Sequence, residues 1–151
     1  MGLSLFEEAI GLLTDLERRG IPYAVAGAVA LAIHGVPRAT TDLDLLVDPR
    51  DLDALLGVAR ARQFGIDALP MRFSDGMEVR RMTKVDGAEM LTLDLLLVNP
   101  NLEPVWTSRE RIPTERGEFW VVSRQGLIQM KAWAGREQDL ADIVRLQELD
   151  R

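Results

Sequence analysis

The stretch RATTDLDLLV, residues 38–47, decides how this chain is read, because it sets two aspartates one residue apart inside a run that otherwise belongs to a buried strand. Side chains along a strand alternate between its two faces, so Asp42, Asp44 and Leu46 share one face while Leu43, Leu45 and Val47 share the other. The two carboxylates point the same way, with Cα atoms roughly 6.5 Å apart, close enough to reach one or two divalent cations together. A second run, LTLDLLLV (residues 91–98), repeats the pattern: Leu91, Leu93, Leu95 and Leu97 take one face and leave Asp94 in the middle of the other.

Working outward, strands and helices alternate. Residues 4–19 place Leu5, Ala9, Leu12, Leu13 and Leu16 at helical spacing before Gly20 and Pro22 stop the pattern. YAVAGA (23–28) predicts a short strand, and AVALAIHG (28–35) a helix, with Gly27 at the turn between them. After the strand at 42–47, Asp48, Pro49 and Arg50 introduce a helix through residues 51–65. MEVRRMTKV (77–85) and EMLTLDLLLV (89–98) flank an Asp-Gly pair, which predicts an antiparallel hairpin. EFWVVS (118–123) adds a strand, and residues 124–135 and 137–149 two helices. The expected architecture is α+β, a mixed sheet flanked by helices, with helices at the C-terminus.

Composition narrows the chemistry. A chain of 151 residues, 47% hydrophobic and 28% charged, suits a single domain (1–151) with a core of its own. There is no cysteine and only one histidine, so thiolate and histidine-rich metal sites are excluded. No apolar run reaches the ~18 residues of a membrane span. The N-terminus carries acids where a signal peptide carries bases, which predicts a cytoplasmic protein. A net charge of −6 argues against a broad electrostatic grip on nucleic acid, while leaving room for a local basic cleft.

Burying an unpaired carboxylate costs several kcal/mol, so Asp94 needs a base or a metal ion. Arg38, Arg80 and Arg81 are candidate ion-pair partners. The other solution is a hard cation, Mg²⁺ or Mn²⁺, on Asp42, Asp44 and Asp94, sharing its remaining positions with substrate phosphates. That arrangement serves phosphoryl or nucleotidyl transfer.

Taken as a unit, VAGAVALAIHGVPRATTDLDLLV resembles the nucleotidyltransferase superfamily of the polymerase-β type, especially its AbiEii toxin-like and minimal bacterial members. The family pattern is a strand, two small residues opening a helix, an Asp-x-Asp on the next strand and a third acid on a later one. Gly27, Asp42, Asp44 and Asp94 stand in those places, and His34, Gly35, Arg38, Thr40, Asp42 and Asp44 match the AbiEii-like extension. Lys131, Arg136, Asp139 and Asp142 in KAWAGREQDLADI resemble that branch's C-terminal signature. The second small residue is Ala28 here, which removes a serine hydroxyl and adds a Cβ beside the phosphate-binding amides.

The resemblance implies transfer of a nucleoside monophosphate from a nucleoside triphosphate to an acceptor hydroxyl on RNA, protein or a small molecule. It implies Asp42, Asp44 and Asp94 as metal ligands, and Gly27, Ala28, Arg38, Thr40 and Lys131 as the nucleotide-binding set, with Lys131 on the triphosphate. It also implies a toxin paired with an antitoxin, and the small size suggests an antitoxin or homodimer partner at the acceptor site. The alternative is a catalytically degenerate member acting as a nucleotide-binding or regulatory partner, as Ala28 would suggest. Individual residues keep their plainer roles too. Arg38 could clamp Asp42 or Asp94, Thr40 suits a turn, and His34 suits a helix end. Lys131 could be an exposed helix lysine, Asp139 and Asp142 could pair with Arg136 or Arg145, and Trp106, Trp120 and Trp133 suit core or interface anchors, with base stacking as the alternative.

Overall fold

The computed structural model describes residues 3–149. Helix α1 (Leu5–Arg19) starts at Ser4, whose hydroxyl accepts from the Glu7 amide, and ends at left-handed Gly20. Strand β1 (Ala24–Ala26) runs into α2 (Gly27–His34), so Gly27 opens the helix with φ +61°. Strand β2 (Asp42–Val47) leads through a single 3₁₀ turn (Pro49–Asp51) into α3 (Leu52–Ala61). Two-residue strands β3 (Ile66–Asp67) and β4 (Met71–Arg72) precede the long hairpin β5 (Glu78–Asp86) and β6 (Glu89–Leu97). Helix α4 (Glu103–Thr107), strands β7 (Glu110–Thr114) and β8 (Gly117–Val121), and helices α5 (Arg124–Ala134) and α6 (Glu137–Glu148) complete the described chain.

One sheet collects all the strands, in the order β3-β5-β6-β2-β1-β8-β7 with β4 pairing β5. It is mixed: β2 runs parallel to β6 and β1 parallel to β8, while β1/β2, β5/β6 and β7/β8 are antiparallel. The expected α+β architecture is observed.

The leucine face of β2 and β6 is the core. Leu43, Leu45, Leu93 and Leu95 are fully buried with Leu12, Leu16 and Leu55 of α1 and α3 in one cluster. Each such side chain contributes about 1.5–3 kcal/mol by leaving water. Lys84 of β5 lies opposite Leu91 and ties this side to α1 through Glu8 at 2.8 Å. Helices α2 and α5 pack together on the other side, where the aspartates project.

Several elements differ from expectation. The Asp86-Gly87 pair is not the turn itself; Asp86 pairs with Glu89 as the last rung, and Gly87 and Ala88 make the two-residue turn, with Gly87 at φ +63°. The helix expected over 51–65 is preceded by a 3₁₀ turn at Pro49–Asp51 and ends at Ala61, with Gln63 just beyond in the left-handed region at φ +73°. Strands β3, β4 and β7 and helix α4 were not anticipated. No helix among the described residues is long and apolar enough to cross a membrane.

Candidate active site

The parallel register of β2 and β6 sets Asp44 directly beside Asp94, and the antiparallel register of β5 and β6 sets Arg81 beside Asp94. Three charged side chains therefore form a row across the middle of the sheet. Asp42 stands on the same face one pleat away, opposite Thr92. Arg81 grips Asp94 with two bonds, Nε to Oδ1 at 2.8 Å and Nη2 to Oδ2 at 3.0 Å, the planar fork-to-carboxylate geometry that only arginine supplies. Asp94 is 8% exposed, whereas the Arg81 side chain is 45% exposed and faces the cleft.

Asp44 has no such partner among the described residues. Burial, reinforced by the charges of Asp94 and Asp42, pushes its carboxyl up to about 6. Gly27 explains how it fits, because a Cβ there would lie 1.9 Å from Asp44 Oδ2. Glycine at the mouth of α2 is thus required twice, by the positive φ and by this contact.

The row forms one wall of a cleft of about 660 Å³, within the usual range for a nucleotide-sized ligand. The facing wall is α5, contributing Leu127, Met130, Lys131 and Trp133, and the β4–β5 connection adds Phe73. Lys131 bridges two carboxylates of α6, Asp139 at 3.2 Å and Asp142 at 2.9 Å. Asp142 also pairs with Arg38, and Asp139 with Arg136 Nε at 2.7 Å. Asp139 and Asp142 are each 1% exposed. The Arg136 hydrogen bond, with Lys131 beside it, holds Asp139 below the ordinary carboxylate range. Burial works to raise Asp142, but Lys131 and Arg38 outweigh it and its carboxyl also lies low.

Of the residues singled out in the sequence, Gly27, Asp44, Arg81, Asp94, Lys131, Trp133, Arg136 and Asp139 all line this one cleft. Asp42 shares the face but does not line the cleft, and neither does Ala28, whose neighbours Ala26 and Gly27 do. Arg38 is engaged by Asp142 rather than by Asp42 or Asp94. The Thr40 hydroxyl accepts from the Asp42 amide at 3.0 Å, a turn that starts β2. His34 Nε2 meets the Val122 carbonyl at 2.8 Å. Trp106 is buried as expected of a core anchor, but Trp133 is 46% exposed on the cleft wall. Sequence reasoning did not single out Phe73, and it named Arg81 as only one of three partners for Asp94.

The donor set suits a hard divalent cation. Asp42 and Asp44 offer only oxygen ligands from one face, and the raised Asp44 carboxyl marks a place where negative charge lacks compensation. Among the described residues no three acidic or histidine side chains close around a common point. An open pair is what Mg²⁺ uses, since it keeps water and takes phosphate oxygens as its other ligands.

Solved structures share this architecture. A protein of Thermotoga maritima, provisionally described as a nucleotidyltransferase, superposes with TM-score 0.64 at 14% identity over 97% of this chain and 93% of its own. JHP933 from Helicobacter pylori gives 0.63 at 19% identity over 95% of this chain, which spans 65% of that protein's length. ANT(2")-Ia, solved in complex with adenylyl-2"-tobramycin, gives 0.60 at 14% identity over 89% of this chain and 82% of its own. No family model matches the sequence, and no curated protein matches it. At these identities the likeness is one of fold: the chain has the nucleotidyltransferase fold.

Proposed function

We propose that this protein is a metal-dependent nucleotidyltransferase of the AbiEii-like branch, a single cytoplasmic domain that moves a nucleoside monophosphate from a nucleoside triphosphate to an acceptor hydroxyl. The observation that carries this reading is Asp44, a carboxylate without a basic partner, raised to about 6, beside Asp94 in a nucleotide-sized cleft and on the face of Asp42. The branch assignment draws support from contacts joining the residues that resemble its signature, Arg38 to Asp142, Asp142 to Lys131, Lys131 to Asp139 and Asp139 to Arg136.

Asp42 and Asp44 would hold Mg²⁺ or Mn²⁺, which when bound neutralises phosphate charge and orients the phosphates for in-line attack. The rest follows from the chain's own groups. Helix α2 begins beside Asp44, with Ala26 and Gly27 lining the cleft and no side chain capping the helix start, a place that favours anions. Lys131 faces the row from α5, its ammonium fixed by two buried aspartates, so a triphosphate meets a cation already in place. Trp133 and Phe73 offer exposed aromatic surface on which a base can stack. The acceptor hydroxyl attacks the α-phosphorus, its proton passes to a carboxylate of the row, and pyrophosphate leaves.

RNA, a protein or a small molecule could present that hydroxyl, and a toxin-antitoxin setting would place the acceptor surface on a partner chain or a second copy. The test is label transfer from each of four α-³²P nucleoside triphosphates, with Mg²⁺, into RNA, protein and small-molecule pools. Wild type is expected to label one pool, and Asp44→Asn and Asp94→Asn to abolish labelling with unchanged circular dichroism. Full labelling by both variants would overturn the assignment.

A further inference from the structure

The pairing of Arg81 with Asp94 has a consequence for how many cations the site can hold. Both Asp94 oxygens are taken by the Arg81 fork, at 2.8 and 3.0 Å, so a metal ion on Asp94 would have to displace a part-buried bidentate ion pair. It would also sit against a guanidinium that is charged at every working pH. Asp44 lies on the other side of Asp94 in register, and Asp42 on the same face, and neither is bonded to Arg81. The row is thus divided. Its Asp42 and Asp44 end is open to a cation, while its Asp94 end already carries one, supplied by β5.

We propose that Arg81 takes the place of a second divalent cation, so that each chain binds one metal ion, on Asp42 and Asp44, and Asp94 serves to hold the guanidinium at the cleft. This rests on the metal-dependent reading above and adds to it a protein-borne positive charge in the cleft. Arg81 is well placed for that duty. Its half-exposed side chain lines the same cleft as Lys131, and its backbone is held in the β5–β6 ladder. The site would consequently need only a single equivalent of metal per turnover-competent chain.

Counting bound ions tests this without any measurement of transfer. Mn²⁺ is titrated into the full-length protein with a saturating non-hydrolysable nucleoside triphosphate analogue, and free Mn²⁺ is read by electron paramagnetic resonance after correction for the analogue alone. Wild type is expected to bind one ion per chain. Arg81→Gln, which frees both Asp94 oxygens, is expected to bind two, and Arg81→Lys, which keeps a cation, one. Asp94→Asn is expected to leave the first ion in place with its affinity changed less than threefold, whereas Asp44→Asn removes it. Two ions in wild type, or one in a folded Arg81→Gln, would overturn the role of Arg81 while leaving a metal-dependent site standing. No ion in wild type would overturn the metal-dependent reading and this inference with it.

Discussion

Two clusters of charge face each other across the cleft, and they are balanced in opposite senses. On the sheet, Asp42, Asp44 and Asp94 meet one guanidinium, Arg81, and Asp44 makes no ion pair among the described residues and is raised to about 6. On the helical wall, two buried carboxylates, Asp139 and Asp142, meet three cations, Lys131, Arg38 and Arg136, and both are held below their ordinary value. Drawing aspartates away from water therefore has two outcomes, one at part-buried Asp44 and one at Asp139 and Asp142, each 1% exposed. Where bases surround the acid the burial is compensated and serves to position a side chain; where acids crowd together it is not, and the deficit invites an external cation. A metal-phosphate complex would satisfy both walls, its cation against the sheet and its phosphates against Lys131.

The largest expected effect of breaking this contrast is on transfer. On the proposed reading Asp44→Asn would remove one ligand of a cation whose stabilisation of the transition state would be worth several kcal/mol, so label transfer should fall by about 10³-fold or more. On the helical wall the corresponding change should act on stability instead. Asp142→Ala leaves Arg38 and Lys131 without a shared partner in a buried setting, and urea unfolding should show a loss of about 3–5 kcal/mol. A loss below ~1 kcal/mol would mean that the network is not a structural tie.

The pH dependence of stability sharpens the comparison further. Because Asp44 binds its proton more tightly when folded, with a value of about 6 against an ordinary 3.8, the metal-free protein should lose stability as pH rises across that window. The effect amounts to at most about 3 kcal/mol by pH 7. Asp44→Asn should melt higher than wild type at pH 7 in chelator, and the advantage should vanish near pH 4. Asp139 and Asp142 act in the reverse direction, since their depressed values make a contribution that is present at neutral pH and lost as pH falls below the ordinary carboxylate range. A difference in melting temperature between Asp44→Asn and wild type that stays constant from pH 4 to 7 would contradict the assignment for Asp44. The smallest expected effect lies at the rim: Trp133→Ala should weaken nucleotide binding by about 1–3 kcal/mol and remove most of the fluorescence change on binding.

The central strands were legible because alternation over Leu91, Leu93 and Leu95 and over Leu43 and Leu45 leaves no other face for Asp94, Asp42 and Asp44. The pairing of Arg81 with Asp94 turned on one rung: strands 77–85 and 89–98 paired end to end would set Arg80 opposite Asp94, whereas the observed Asp86–Glu89 rung sets Arg81 there. What local pattern could not supply was the parallel pairing of β2 with β6, which brings Asp44 beside Asp94 from fifty residues away in the chain. The same holds on the helical wall. Spacing of three along α6 suggested Arg136 as a partner, which it is for Asp139, but Lys131 and Arg38 arrive from other elements through tertiary packing. The missed elements were too short for periodicity to register, and β7 carries Pro113, which is tolerated because β7 is a sheet edge.

The most direct test of the central claim is calorimetric titration of the wild-type protein with a non-hydrolysable nucleoside triphosphate analogue in Mg²⁺ and again in chelator, with Asp44→Asn as the control. The account predicts binding that needs Mg²⁺ and is lost in Asp44→Asn. Binding that persists unchanged in chelator and in Asp44→Asn, or no binding of any of the four nucleotides, would contradict it.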